Sequence, residues 1–545
     1  MSDSHRAEPA KRGSDGGKGG RLWTISTAVA VYLIGVIAGP TLLYRLLATE
    51  RNWGEFWRVA AGPTGTMLAA AGAVMAAYLT VLNGESNRRQ DRDSTDRDRR
   101  SATERDLRSR FTSAAEQLGD KRFNVRQAGA YAMAAIADDW LALAADEPMG
   151  AREAQVCVDV LCAILRAAPA DQPAADKTEE PSDQPVRSMI IHIIASHLRR
   201  DTEPSWRQLR FDLKGAHLHD VNLSECHFQG SLILANAHLS GEQATFTDSH
   251  FANVTFDHAT FQTGTTAEFT HTTWDTTAVF QYTEFGGNLN FDRANFNAGA
   301  SFTGASLGTR VGAASEASFK EAEFVGTADF TYARVYCSMA EFYGATFNGP
   351  ALFKRLQANQ PEKSASISFH SATFHGPADF EACHVGSHTD FRESKFLGDL
   401  KTPTALDDTY FDSEEAVRFN DAEFVVAEFD KAQFSRQVSF YGAKWIFEAR
   451  FPSAKFTAPV RFEKTTFHNG ATFVGVEFVC GADFYRVDFG DQPVDFTNPA
   501  VWNDVRVDWD GSSPFHSSVP PQPSNVLPED WTSNRASERR PATRT

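Results

Sequence analysis

Residues 440–489 read FYGAKWIFEARFPSAKFTAPVRFEKTTFHNGATFVGVEFVCGADFYRVDF. Large apolar side chains recur at Phe440, Trp445, Phe451, Phe456, Phe462, Phe467, Phe473, Phe478, Phe484 and Phe489, in steps of five and six. Two residues before nearly every one stands a small residue: Ala443, Ala449, Ala454, Val460, Thr465, Ala471, Val476 and Ala482. Helix and strand have side-chain periods of 3.6 and 2.0 residues, so neither produces this spacing. A coil with four short sides does. Its central Phe points to the axis, the residue two before it points inward at a tighter place, and the other three positions face solvent and vary. One coil alone buries nothing. Coils stacked about 4.8 Å apart set ring over ring and pair every strand edge. Fully burying one such ring contributes roughly 2–3 kcal/mol.

The pattern extends to Leu213, where the chain falls into FDLKG, AHLHD, VNLSE and CHFQG. The centres there are Leu213, Leu218, Leu223 and Phe228, followed by Leu234, Leu239, Phe246, Phe251, Phe256 and Phe261. Small companions recur at Ala216, Val221, Ala237, Ala259, Ala322, Ala328, Ala345 and Ala378. It lapses at Gly308–Ala317, Leu356–Ser366 and Leu397–Thr409, which read as surface loops interrupting the stack. If one turn takes 22 residues, Lys455 falls beside Glu477 and Arg461 beside Asp483, two placements of opposite charge that cross-strand pairing favours.

AEFYGATFNG (340–349), AEFVGTADF (322–330) and GATFVGVEF (470–478) resemble the pentapeptide-repeat family, whose motif is A(D/N)LXX with Leu or Phe central. The helical segment before the repeats resembles that of membrane-anchored bacterial members, so the likeness covers about residues 110–500. It implies a right-handed quadrilateral β-helix, here of about 13 coils and on the order of 60 Å long at strand spacing. Some soluble members of that family resemble duplex DNA in shape and charge and bind DNA gyrase.

Upstream, Leu22–Tyr44 and Val59–Gly84 carry no charge, and each is long enough as a helix to cross a hydrocarbon core. Trp23, Tyr44, Trp53, Phe56 and Trp57 stand near the ends of these runs, and Arg and Lys flank both outer ends. The expectation is two transmembrane helices, 22–47 and 59–84, with both termini cytoplasmic and a multi-pass place in the plasma membrane. Gly35 and Gly39, then Gly65, Ala69, Ala73 and Ala77, would let the two pack as a hairpin. Residues 1–21 read as a disordered basic N-terminus. Residues 85–109 alternate Arg and Asp and read as a charged linker helix.

Residues 110–204 read as a small α-helical connector that caps the first coil. Asn124 is its N-cap candidate, and Val125, Ala128, Ala132 and Ile136 form an apolar stripe. Further helices are expected at Ala151–Ala167 and Val186–Arg199, separated by a Pro- and acid-rich loop, Pro169–Pro185. The β-helix proper is placed at 205–500. Residues 501–545, Pro-, Ser- and Arg-rich from about Gly511, are expected to be a disordered tail.

Net charge is −17, which argues against free nucleic acid as a ligand. Residues 205–500 hold 22 basic and 37 acidic side chains, and many acids stand just before a centre: Glu323, Asp329, Glu341, Asp379, Glu423 and Asp483. Solubility and resistance to lateral strand pairing account for them. Cys157 and Cys162 read as core thiols of the connector, and Cys226 and Cys383 occupy small inward positions. His217, His227, His238 and His250 each precede a centre and should stack as 217 over 238 and 227 over 250. A metal site would need more ligands and a second shell, so surface histidines are expected. Gly304-Ala-Ser-Leu-Gly308 matches the nucleophile-elbow string, but that chemistry needs a strand–turn–helix, and Leu307 sits at an inward position. No phosphate loop, HExxH or dinucleotide fingerprint stands in a sensible context.

The sequence therefore implies no catalytic, cofactor or metal residues. It points to a membrane-tethered, non-enzymatic scaffold whose partners are the bilayer and another protein, with no small-molecule substrate. A DNA-mimicking binder of a type II topoisomerase is the alternative.

Overall fold

From Phe211 onward each unit of about five residues takes one short side of a coil. One full turn runs Val438–Ser439, Lys444–Trp445, Ala449–Arg450 and Lys455–Phe456, and returns as Val460–Arg461 beside its start. The computed structural model describes residues 98–529 apart from 145–147, 168–182, 310–314, 361–362, 386–387, 399–403, 412–415, 512–513 and 516–517, with scattered positions between 34 and 95. The described strands of the coil form parallel ladders of 23, 12, 6 and 6 strands. The two six-stranded ladders share a face and are joined through single bridges at Gln357, to Arg334 on one side and His384 on the other.

The register is the one the spacing implies. Val438 pairs with Val460 and Val460 with Ala482; Lys455 pairs with Glu477 and Arg461 with Asp483. Inside, Phe440, Phe462 and Phe484 stack at 4.9 and 4.7 Å between centroids, with planes within 8°. Phe451 and Phe473, from the opposite side of the coil, meet Phe462 edge-on at 5.7 and 5.6 Å. Aromatic quadrupoles favour this alternation of stack and edge. The small companions Ala443, Ala449, Ala454 and Ala471 are buried in the corners between rings.

The three lapses in the repeat are insertions into single turns. Leu289 pairs with Ala317, Ala340 with Ile367 and Asp379 with Ala405, each more than 22 residues on. The second insertion folds as an antiparallel hairpin, Asn359–Gln360 with Lys363–Ser364. Stacking also continues past the expected end at residue 500. Val501–Trp502 lies on Glu477–Phe478, Val505–Val507 on Ala482–Phe484, and Val526–Leu527 on Val494–Asp495. Val505, Val507 and Val526 supply apolar residues without the Phe spacing, which is why the repeat rule stops short of them. Residues 531–545 lie outside the described residues.

The chain divides into two units, Met1–Arg105 and Asp106–Thr545. In the second, helices Phe123–Ala144, Pro148–Arg166 and Gln184–Leu198 precede the coil. Asn124 lies inside the first turn of its helix rather than capping it; Arg126 N–H donates to the Arg122 carbonyl at 3.1 Å. The Pro- and acid-rich loop falls largely outside the described residues.

The expected first part of the fold is corrected. Among the described residues no helix is long and apolar enough to cross a membrane. The helix Phe123–Ala144 has the length, but it carries Arg126, Asp138 and Asp139 and buries Ala130, Met133, Ala137 and Trp140 in the protein core. Segments 22–47 and 59–84 lie mostly outside the described residues, as do 1–21 and most of 85–97. Their described positions, such as Ile34, Ala38 and Leu42, are helical. An uncharged run is by itself only a candidate for a span. The lack of a spanning helix among the described residues overturns the two-span anchor and the multi-pass plasma-membrane placement. What stands is a small helical region followed by a β-solenoid of about 12 turns.

Candidate interaction surface of the coil

Turn geometry fixes which side chains the coil offers outward. At every second corner the residue three after a centre donates its N–H back to the centre's carbonyl, as Ala454 does to Phe451 at 3.2 Å and Thr465 to Phe462 at 3.1 Å. The third residue of each such turn has positive φ, for example Tyr282 at 51°, Tyr332 at 59°, Ser453 at 57° and Lys464 at 61°. Turns of this kind favour Gly or Asn there, yet the coil places large side chains at many of them and so turns them toward solvent. The repeat pattern marks centres and companions only, and it gave no sign of these left-handed corners.

Outward residues stand in files along the rod. The acids that precede centres all lie outward and mostly find partners one coil away. Glu341 meets Lys320 at 2.8 Å, Asp379 meets Lys354 at 2.9 Å, and Asp483 meets Arg506 at 3.8 Å. Glu323 accepts from Asn348 at 2.8 Å and Asp329 from Thr303 at 2.9 Å. Lys455 and Glu477 are 3.0 Å apart, as their register demands. Arg461 keeps its place beside Asp483 but turns its guanidinium to Glu463. At one corner Asp407 is pushed up to about 6, chiefly by burial, with Glu428, Asp430 and Asp408 adding to the shift.

The histidines stack as their spacing implies. His217 lies on His238 with centroids 4.8 Å apart and planes at 19°, and His227 lies on His250 at 5.8 Å. Burial lowers the pKa of His217 and of His227, and the neighbouring His and Arg charges lower it further. His250 Nε2 is 3.0 Å from Asp275 Oδ2. Among the described residues no group of three or more His, Cys, Asp or Glu is arranged to hold a metal ion. Cys157, Cys162, Cys226 and Cys383 are buried, and burial pushes all four thiols up to about 12. Ser306 stands outward on the two-residue strand Ser306–Leu307, between Glu284 and Arg334, with Leu307 buried beside it. This is a strand paired on both sides, not the strand–turn–helix of a nucleophile elbow.

The cap-to-coil seam was not legible in the sequence. Gln155 pairs its amide with the backbone of Arg210, accepting N–H at 2.8 Å and donating to C=O at 2.7 Å, as an adjoining strand would. Arg187, buried, donates to Ile164 O at 2.8 Å, to Leu165 O, and to His217 O at 2.9 Å. It thereby satisfies carbonyls at the end of one helix and grips the first coil at once. Asp138 accepts from Trp206 Nε1 at 2.8 Å and lies 3.2 Å from His197 Nε2, while the His197 and Trp206 rings stack at 4.2 Å. Burial pulls the His197 pKa down, but the Asp138 and Ile193 hydrogen bonds together raise it. A lone Arg inside the apolar run of Gln184–Leu198 was the available signal. The other end is closed by Asn525, whose Nδ2 donates to the carbonyls of Phe489 at 3.0 Å and Gln492 at 2.7 Å, and by Phe515 under Arg486.

Residues 213–260 match the family described as pentapeptide repeats (9 copies). No curated protein matches the chain, and no solved structure does.

Proposed function

We propose that this pentapeptide-repeat β-solenoid is a non-enzymatic scaffold whose outward files are read by a protein partner. The observation that carries the proposal is a set of exposed aromatic side chains, spread over several files of a coil whose inward positions are committed to packing. Tyr282, Tyr332, Tyr343, Tyr410 and Phe447 are 54, 50, 42, 38 and 37 % exposed. Tyrosine is the residue type over-represented at the energetic centre of interfaces, where it brings a large rigid area with a polar tip. The solenoid holds these rings on short, fully paired strands and turns, so little ordering is left to be done on binding. Both ends of the stack are closed, which leaves the sides for recognition.

Proximity labelling from the full chain, followed by affinity capture, tests this reading. Replacing Tyr282, Tyr332 and Tyr343 together by Ser should remove the captured partner while the coil melts as before. Capture that survives the triple substitution and substitution on every other face would sink it. The alternative, a duplex mimic acting on a topoisomerase, draws support from no observation. Opposite charges alternate up the files, as at Lys320–Glu341, Arg450–Glu428 and Lys455–Glu477, and a field steers a partner only where one sign dominates.

A further inference from the structure

On the face that carries Ser306 the rod has a notch of about 490 Å³. Two of its lining residues are glycines packed against the adjoining coils. A Cβ added at Gly286 would come within 2.6 Å of the Gln262 carbonyl carbon, and one at Gly308 within 2.5 Å of the Cys337 nitrogen. Gly308 also holds φ at +88°. Two successive coils therefore carry no side chain at this position, and Gln262 and Tyr336 also line the recess. Along one wall run Glu284, Ser306 and Arg334, in strand register.

On several other files opposite charges one coil apart join, as Lys455 does with Glu477 at 3.0 Å and Arg293 with Glu321 at 2.8 Å. Here Ser306 holds Glu284 and Arg334 two coils apart, about 10 Å at strand spacing. Both are exposed, and neither has an ion-pair partner among the described residues. An unpaired carboxylate and an unpaired guanidinium at opposite ends of a recess present one charge pattern to whatever enters.

We propose that the notch binds an extended peptide segment of a partner protein, in the polyproline II conformation, with a basic residue and an acidic residue three positions apart. The inference rests on the scaffold reading and names its docking site. Polyproline II has three residues per turn and a rise of about 3.1 Å, so residues i and i+3 share a face about 9 Å apart. That matches the span from Glu284 to Arg334. A β-strand would put residues three apart on opposite faces, and a helix would bring them about 5 Å apart. An already extended segment loses little freedom on docking.

Two fluorescent peptides, acetyl-PKPPEP-amide and its reverse acetyl-PEPPKP-amide, test the proposal by anisotropy against the full chain. One should bind better than the other, since the wall is polar end to end. The charge-swapped variant E284K/R334E, with unchanged net charge, should reverse that preference. S306W, which fills the notch from an outward position, should weaken binding about tenfold or more. E284Q/R334Q, which removes both charges without adding bulk, serves as a check should the tryptophan disturb folding. The proposal is overturned if neither peptide binds. It is also overturned if the swapped variant keeps the original preference, or if free glycylglycine competes as well as the peptide, which would assign the notch to a small zwitterion. Peptide failure alongside partner capture that still depends on the exposed tyrosines would remove the notch and leave the scaffold standing.

Discussion

Replacing Phe462 by Ala should open the rod locally rather than destabilise it evenly. The ring is fully buried, stacked on both faces at 4.9 and 4.7 Å, and met edge-on at 5.7 and 5.6 Å. Removing it forfeits about 2–3 kcal/mol of transfer free energy and the extra attraction of several aromatic pairs, each about 0.5–1.5 kcal/mol. Neighbours held by parallel ladders on both sides cannot collapse into the hole, so the total should reach the about 3–5 kcal/mol typical of a buried Phe truncation. In a solenoid each coil contacts only its neighbours. The loss should therefore fall on residues 438–489, while coils around 244–307 keep their own contacts. Hydrogen exchange read by mass spectrometry should show protection falling first at 438–489. Glu477→Ala, which removes an exposed pair with Lys455, is the control and should cost no more than about 1 kcal/mol. Equal destabilisation by the two variants, or uniform loss of protection along the rod, would refute the stacked-ring account.

The seam and the first coils should respond to pH in opposite senses. His197 has a raised pKa in the fold. Its contribution is thus fully present below the ordinary value near 6.5 and is lost as pH rises through the higher folded value. Asp138→Asn should abolish this loss in thermal melts of the intact chain and lower the melting temperature at pH 6. His217 and His227 have lowered values, so the coils they occupy should weaken as pH falls from about 6.5 towards the folded values. The double variant H217N/H227N should lack that acid weakening, measured by exchange over residues 211–260. Ala382 holds φ at 56°, a region that costs an L-residue roughly 1–2 kcal/mol. After the entropy that glycine adds to the unfolded chain, Ala382→Gly should still leave stability unchanged or raised by up to about 1 kcal/mol, and Ala382→Val should lower it. A native chain treated with a thiol alkylator at pH 8 should gain one adduct, at the exposed Cys480, because burial pushes the other thiols up to about 12. Rapid labelling of Cys226 or Cys383 would contradict their place in the core.

The repeat was legible because each five-residue unit must send one large residue to the axis whatever the rest of the chain does. Phe440, Phe462 and Phe484 carry that demand in their spacing, and the pairings of Lys455 with Glu477 and of His217 with His238 follow from counting turns. The uncharged runs before residue 85 suggested two spans because hydropathy reports what a segment could do in a bilayer, but among the described residues no helix is long and apolar enough to cross one. Asn124 misled similarly. A capping side chain is a local preference, and the helix begins two residues earlier, with Arg122 in the capping position.

Sequence by itself determined the inside of this protein: the inward residue of each unit, the coil length and the places where a turn is interrupted. All of these are set by contacts that repeat at fixed separation, so a local pattern suffices to encode them. Tertiary structure alone decided the seam, where Asp138 from one helix, Arg187 and His197 from another and Trp206 from the segment before the first coil come together. It also decided the final turn at Val526–Leu527, the left-handed corners that turn Tyr282 and Tyr332 outward, and the recess above Gly286 and Gly308. Those features depend on which side chains lie beside one another after many residues have been wound past, and a separation that never repeats leaves no periodic trace in the chain.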